Sequence, residues 1–512
     1  MKENPLNNKR IAKNTVFLYL RMFFVLLVTL YTTRVVINAL GVIDYGIYNV
    51  VCGFVVMFTF LNTSLSQSLQ RFYNYEFARG GKDALMRVFN TSYVIQVGLL
   101  LFLFLIVETI GFFWFNYELE IPFERRDVAW VIFQFSVASM LINVLCCPYT
   151  ALVLSMERMD YYALVTVIDA AVKLFVALSL PFVPVDKLLY YGGLLLTVGF
   201  LNICLYFLYC KKEFPYVKHK ICIDIPLLRS ITSFSGWNLL GSMATLANSQ
   251  GIHVLLNAFF GVIVNASSGI AAQVSSGLSQ LAVNVVIAFR PQLVTAYSRN
   301  YKMEVQNMMF IMSKIGFALA FTIALPVLLE MDYLLSLWLG NAVPEQAAIF
   351  SSIAVITVIL ANFNTPVTQV MHATGKIKKY QIITSIITCM ILPISWCFFK
   401  IGFDAKTIFW VSLFMTIVNQ LCALFILHAE FKYDVKKYLT EVIGSCVFMA
   451  LVASITPCLV SYMMNSTFLR LTLVCLCSVL NMVILGYYFL LNNREKNMVA
   501  GLIKRKFKIN KD

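Results

Sequence analysis

Charge is scarce in this chain of 512 residues: Asp, Glu, Lys and Arg together make up 13% of it, against roughly 25% in soluble domains. Sixty per cent of the residues are hydrophobic and the mean hydropathy is +0.80. That composition excludes a soluble globular domain and predicts a polytopic membrane protein. Histidine is also rare, with four residues, at 219, 253, 372 and 428, and no two of them stand at a metal-ligand spacing. The 13 cysteines include no CxxC pair and fall mostly inside apolar runs, so they read as small buried hydrophobes rather than as a disulfide or metal framework. There is no P-loop, which excludes ATP as a fuel used by this chain. The first apolar run, 14–40, is too long for a signal-peptide core and has no small-residue cleavage site after it, so it is expected to be a retained span. The loops are short, and without a long one the chain has no room for a catalytic domain; it is not expected to be an enzyme.

Long apolar runs are what the sequence does have. Runs long enough to cross about 30 Å of hydrocarbon are bounded near 14–40, 45–69, 90–115, 128–154, 163–183, 188–209, 231–258, 262–289, 307–329, 346–371, 381–400, 406–428, 441–463 and 467–491. All are expected to be helical, because lipid offers no partner to an unpaired backbone group. The expected fold is therefore all-α, with about 14 transmembrane helices in two parallel six-helix lobes plus two C-terminal helices. The lobes are placed at 1–210 and 231–430, with a cytoplasmic linker at 211–230, and residues 431–512 hold the two extra helices and a basic tail.

Basic residues gather in alternate loops, on the side of the N-terminus: Lys2, Lys9, Arg10 and Lys13, then Arg71, Arg79, Lys82 and Arg87, then Lys211, Lys212, Lys218, Lys220 and Arg229, then Lys376, Lys378 and Lys379, and finally Lys504 to Lys511. The other loops are acidic or neutral, as at Glu118, Glu120, Glu124 and Asp127. By the positive-inside rule both termini are cytoplasmic. The net charge of +15 then reflects topology and attraction to anionic lipid, not nucleic-acid binding.

The two halves repeat each other. Arg71 and Arg290 each end an apolar run and stand 219 residues apart, as do Asn38 and Asn257; at an offset of 218, Pro148 matches Pro366, Thr150 matches Thr368 and Tyr162 matches Tyr380. Parallel repeats of this kind are a transporter construction, with the substrate site between the halves.

The stretch from Arg34 to Val51, with its Leu40-Gly41 turn and Asp44-Tyr45-Gly46-Ile47-Tyr48, resembles the opening signature of the O-antigen flippase (Wzx-type) branch of the MOP exporter superfamily. The run Ser68 to Glu76, the segment Ser336-Leu337-Trp338-Leu339-Gly340 and the Thr374-Gly375-Lys376 turn continue the likeness. It covers essentially the whole chain, most strongly residues 10–90. The resemblance implies two six-helix lobes, a central cavity, alternating access in the bacterial inner membrane, and a polyprenyl-diphosphate-linked oligosaccharide as cargo. The partners implied are that lipid-linked oligosaccharide, the lipid bilayer and other proteins of polysaccharide assembly, with no nucleic acid. No cofactor is expected; a coupling ion, H+ or Na+, is left unassigned.

The chemistry of such a cargo directs attention to charged groups within spans. Cavity cations are expected at Arg21, Arg34, Lys173, Arg290 and Arg71, since an arginine fork donates two parallel hydrogen bonds to phosphate and lysine supplies a point charge. Each has a plainer reading: Arg21 snorkelling, Arg34 anchoring the interface, Arg71 and Arg290 marking the membrane boundary, and Lys173 neutralised by Asp169 four residues earlier. Arg21 and Arg34 are also thirteen residues apart, about 220° around a straight helix, so one cavity serves both only if the helix bends. Polar stripes at helical spacing, Gln273, Ser276, Gln280 and Asn284 in one half and Thr59, Asn62, Ser66 and Gln70 in the other, either line a cavity or glue helices together. Asp169 and Glu108 are candidate ion-coupling groups, as are Asn238, Thr245 and Asn248, and Pro148 and Pro366 are candidate hinges. Moving an anion outward from a negative cytoplasm gains about 2.3 kcal/mol per charge per 100 mV. Two alternatives stay open: a cation-coupled drug antiporter of the multidrug and toxin extrusion (MATE) type, which would need a carboxylate-dominated cavity, and a membrane enzyme of the same polysaccharide pathway, which would need a large outer loop.

Overall fold

A computed structural model describes residues 8–117, 122–217, 224–339, 343–486 and 488. Lys2, Glu118, Glu120, Lys218, Lys220, Gly340 and the basic tail from Lys504 to Lys511 lie outside the described residues. Every regular element among the described residues is helical. In chain order these are α1 (Asn8–Val56), α2 (Thr59–Tyr117), α3 (Arg126–Ser155), α4 (Met159–Ser179), α5 (Lys187–Glu213), α6 (Ile225–Ser298), α7 (Lys302–Leu329), α8 (Met331–Leu339), α9 (Ala347–Ala361), α10 (Asn364–Thr374), α11 (Lys378–Ile401), α12 (Thr407–Phe431), α13 (Val435–Tyr438), α14 (Ser445–Met463) and α15 (Phe468–Leu485), with 3-10 turns at Phe123–Arg125 before α3 and Leu180–Phe182 after α4 and a π-helical turn at Leu439–Gly444 between α13 and α14.

Three of the long helices are broken at glycine. Gly41 in α1 (φ 82, ψ 168) and Gly261 in α6 (φ 80, ψ −176) adopt nearly the same non-helical conformation, at positions 220 residues apart. A positive φ of this kind is open to glycine and costly for most other residues. The same turn thus recurs at matching places in the two halves, close to the offset at which Arg71 matches Arg290. A third break, at Gly81 in α2 (φ 64, ψ −147), has no counterpart in the sequence reading.

Among the described residues eleven helices are long and apolar enough to cross a membrane, or twelve if the bent pair α9 and α10 is one span. The expected fourteen exceeds that count. The expected span 45–69 is divided between the end of α1 and the start of α2 by a turn at Met57 and Phe58, and the expected span 90–115 falls in the part of α2 that follows the Gly81 break. The expected span 231–258 is diluted by Asn238, Thr245, Asn248, Gln250 and His253, and the apolar stretch of α6 begins at Ile263.

Contacts divide the chain into one unit of Met1–Met243 with Ile287–Tyr301 and another of Ala244–Val286 with Lys302–Asp512. The boundary expected at 211–230 falls inside the first unit, because both ends of α6 pack there. In the first unit Ile47, Val51 and Val55 of α1 pack with Leu103 and Val107 of α2 and with Ile132 and Phe133 of α3. A second cluster joins Val36 of α1 to Val176 of α4 and Tyr191 and Val198 of α5. In the second unit Leu256 and Ala271 of α6 pack with Phe350 of α9, Ile391 and Phe399 of α11 and Ile408 of α12. The last two helices belong to this unit, where both α14 and α15 pack on α7.

Three of the prolines inside helices, Pro148, Pro326 and Pro457, share one arrangement. A proline inside a helix has no N–H for the carbonyl four residues earlier, and within a membrane that carbonyl needs another donor. Pro148 leaves the Val144 carbonyl, which accepts from Gln96 Nε2 at 2.6 Å. Pro326 leaves the Thr322 carbonyl, which accepts from Ser478 Oγ at 3.0 Å. Pro457 leaves the Ala453 carbonyl, which accepts from Asn481 Nδ2 at 2.9 Å. In each case a side chain from a neighbouring helix replaces the missing backbone donor. Pro366 behaves differently: it sits in the first turn of α10, and the 41° bend of the broken span falls just before it, between Ala361 and Asn364.

One further device ties together helix starts in the first unit. Arg125, at the start of α3, is ion-paired with both Asp44, three residues beyond the Gly41 break, and Asp186, the N-cap of α5. Asp186 Oδ1 also accepts from the Leu188 and Leu189 N–H groups at 3.0 and 3.1 Å, satisfying donors that the first turn of a helix leaves free. Partial burial pushes the Asp186 carboxyl up, but the Leu189 N–H and then the Arg125 guanidinium outweigh it and hold the carboxyl below its ordinary value of 3.8.

Candidate functional site

The first unit brings together the two repeat-related arginines. Arg71 lies on α2 before the Gly81 break and Arg290 lies on α6 after the Gly261 break; both α6 segments near them, 225–243 and 287–298, belong to this unit. Gln70, next to Arg71, accepts from Arg290 Nη1 at 3.2 Å through Oε1 and donates from Nε2 to Ser66 Oγ at 3.4 Å. Arg71 is buried, and its guanidinium stands 4.9 Å from the Phe72 ring, 5.2 Å from Tyr75 and 4.9 Å from Phe234. Arg79 caps the same Tyr75 ring at 4.4 Å. A ring face attracts a cation through its quadrupole, and more strongly once water is excluded. The cluster is held from both sides: Phe72 meets Phe234 edge-on at 6.0 Å, Ser64 bonds Ser242 at 2.9 Å, and Gln292 donates to Glu157 at 3.3 Å.

Arg21 is the other cation set against a ring. On α1 it stands 5.1 Å from the Tyr162 ring of α4, and its Nε is buried without a hydrogen-bond partner. Around it Tyr161 stacks on Tyr209 at 3.6 Å and donates to the Leu205 carbonyl at 2.8 Å, so α4 and α5 present an aromatic wall to α1. Arg34, further along α1, is exposed; its placement differs from that of Arg21, as the angle between them on the helix requires. Lys173 is not presented alone: its Nζ lies 2.8 Å from Asp169 Oδ2, and Asn202 of α5 donates to Asp169 Oδ1 at 2.7 Å. Both oxygens of Asp169 are therefore engaged. Glu108 accepts from Gln134 of α3 at 3.2 Å through Oε2, while its Oε1 is buried without a partner.

The two polar stripes fare differently. Asn62 is bound on both sides, accepting from Gln96 at 2.9 Å and donating to the Asn143 carbonyl at 3.3 Å, and Ser66 is bound to Gln70. These groups join α2 to α3, as interhelical glue does. In the second unit Gln273, Ser276 and Gln280 are exposed along one face of α6, and Asn284, one turn on, is fully buried. Three exposed polar side chains on one face of a span are a poor match for acyl chains and a good one for water or sugar.

Sequence reasoning missed Phe234, Gln96 and Arg125. The signals were weak but present: Gln96 is a lone amide in an apolar run, and Arg125 is a base on the side of the membrane where acidic loops dominate. Phe234 had none, because a phenylalanine in an apolar run is uninformative. Among the described residues no group of three or more His, Cys, Asp or Glu side chains could hold a metal ion.

No known protein-family profile matches the chain. No curated protein matches it either. Solved structures do. A crystal structure of MATE in the bent conformation aligns with a TM-score of 0.71 at 14% identity, covering 84% of this chain and 97% of the other. An outward-facing multidrug resistance MATE family transporter of the MOP superfamily aligns at 0.69 with 13% identity, over 84% and 97%. The chain has the fold of MATE-type transporters. A MOP superfamily transporter from Pyrococcus furiosus, described by a reverse polarity of its binding pocket that suggests a different function, aligns at 0.69 with 12% identity, over 85% of this chain and 98% of that one. At these identities the likeness is one of architecture, and the side chains must carry any argument about cargo.

Proposed function

We propose that this protein is a flippase that moves a polyprenyl-diphosphate-linked oligosaccharide from the cytoplasmic to the outer leaflet of a bacterial inner membrane, by alternating access, with both termini in the cytoplasm. The observation that carries this reading is the meeting of the two repeat-related arginines, Arg71 and Arg290, in one unit on either side of Gln70. The buried carboxylates among the described residues are each taken by an arginine, Asp44 by Arg125 and Glu330 by Arg470. Arg71 and Arg21 are instead set against aromatic rings, and Arg290 against an amide. Two arginine forks gathered at one place suit a phosphorylated headgroup better than a cationic drug. The Pyrococcus furiosus transporter is a precedent for this scaffold carrying a pocket of differing polarity.

A second reading, a cation-coupled drug antiporter, is favoured by one feature: Glu108, an acid within a span whose Oε1 has no partner. Asp169 is less suited to that task, since Lys173 and Asn202 engage both of its oxygens. The two readings separate in a deletion strain. The flippase reading expects lipid-linked repeat units to accumulate on the cytoplasmic leaflet, with rescue by the intact gene and by Glu108→Gln, and failed rescue by Arg71→Ala or Arg290→Ala. Arg21→Ala is expected to weaken rescue more than Arg34→Ala or Lys173→Ala, since Arg34 and Lys173 are exposed and Arg21 is half-buried. Loss of drug tolerance without any accumulation of glycolipid would overturn the proposal in favour of the antiporter.

A further inference from the structure

The last two helices reach the break in the span formed by α9 and α10. Tyr438 ends α13 and precedes the π-helical turn Leu439–Gly444, a rare geometry found frequently at functional sites. Its ring is fully buried, 5.5 Å from Phe310 of α7, and its hydroxyl lies 3.2 Å from the carbonyl of Phe363. Phe363 sits inside the break, stacked on Phe317 of α7 at 5.1 Å. The Tyr438 hydroxyl is also 3.2 Å from Ser313 Oγ, which is itself 2.9 Å from the Met309 carbonyl.

Two hydroxyl protons therefore serve three short contacts. When Tyr438 donates to Phe363 and Ser313 to Met309, the Tyr438–Ser313 contact is unmade. Rotation of the tyrosine hydroxyl toward Ser313 breaks the link to Phe363 without leaving Tyr438 unpaired, so the link exchanges at low cost. The break itself is under-satisfied: Asn362, nearly fully buried, has no partner for Nδ2, and Asn364 has none for Oδ1. Buried amide groups without partners oppose the conformation that strands them, and a bent span with stranded groups persists only if something outside the bend holds it.

We propose that the C-terminal helices latch the bend of the broken span through Tyr438, whose hydroxyl toggles between the Phe363 carbonyl and Ser313. The latch is rigidly based, because α15 is fixed to α7 by Ser478 on the Thr322 carbonyl and by the buried pair of Arg470 with Glu330 at 2.6 Å. The inference does not depend on the cargo, and its readout is not transport.

Hydrogen exchange by mass spectrometry on the full chain in nanodiscs tests it. Tyr438→Phe keeps the ring and removes the link; amides in 360–368 are expected to exchange roughly threefold faster or more, as loss of one hydrogen bond implies. Ser313→Ala removes the competing partner, keeps Tyr438 on Phe363, and is expected to slow exchange in the same segment. Opposite signs in the two variants support the latch. Unchanged exchange in Tyr438→Phe, or equal acceleration in both variants, overturns it.

Discussion

At the scale of single residues, the recurrent problem is a backbone carbonyl deprived of its donor in a medium that supplies none. Gln96 answers it at Val144 and, with the same Nε2, reaches Asn62. Gln96→Leu is expected to cost about 1–3 kcal/mol of stability, the penalty for stranding a buried acceptor, read as a lowered midpoint in thermal melts in detergent. Pro148→Ala restores an N–H to Val144, so in a double-mutant cycle the cost of Gln96→Leu should shrink in the Pro148→Ala background; strict additivity would show that Gln96 does something else. Asp186 gives a second prediction at this scale. Its folded carboxyl titrates below its unfolded value near 3.8, so its contribution is fully present above that pH and is lost as pH falls through the lower, folded value. The melting midpoint is expected to decline on acidification below about pH 4, and Asp186→Asn should lower it at neutral pH and remove part of the acid dependence. The repeat-related arginines were legible in sequence as a pair, because spacing alone reveals an offset. Their common partner Gln70 and the Phe234 wall were not, since both depend on where α6 returns.

At the scale of elements, glycine and proline do most of the shaping, and they differ in how readily they are read. Gly41, followed by Asp44 and a run of β-branched and aromatic residues, marks a turn in the sequence, and Gly261 repeats it in the other half. Gly81 follows Gly80 in a basic segment that reads as a loop, yet helix continues on both sides of it, so the loop expected there is a kink. The expected span 231–258 shows the limit of reading spans from run length: Asn238, Thr245, Asn248, Gln250 and His253 lie within it, and the apolar stretch of α6 begins only at Ile263. The π-helical turn at Leu439–Gly444 has no local signature at all. Ser478 and Asn481, three residues apart on α15 and so on one face, serve proline-freed carbonyls in α7 and α14 respectively. Replacing both, as Ser478→Ala with Asn481→Leu, is expected to destabilise by more than either alone and to raise hydrogen exchange in α7 around Thr322 and in α14 around Ala453. Changes confined to α15 would contradict the role assigned to that face.

For the whole molecule, fold and cargo rest on different grounds. Architecture follows from apolar length and repeated turns, and solved transporters at 12–14% identity share it; the proposed cargo rests on the arginines that the repeat brings together. Arg71 and Arg290 are expected to need their planar forks as well as their charge: Arg71→Lys and Arg290→Lys should retain some transport but lose most of it, and the alanine variants should lose essentially all. The most direct measurement is translocation of a polyprenyl-diphosphate oligosaccharide across proteoliposomes containing the purified protein, followed by access of the sugar to an impermeant lectin or periodate. The account predicts protein-dependent movement, faster with a membrane potential that draws anions across, and abolished by Arg71→Ala and Arg290→Ala. Proteoliposomes that exchange a cationic drug for protons while leaving the glycolipid on its original leaflet would contradict it.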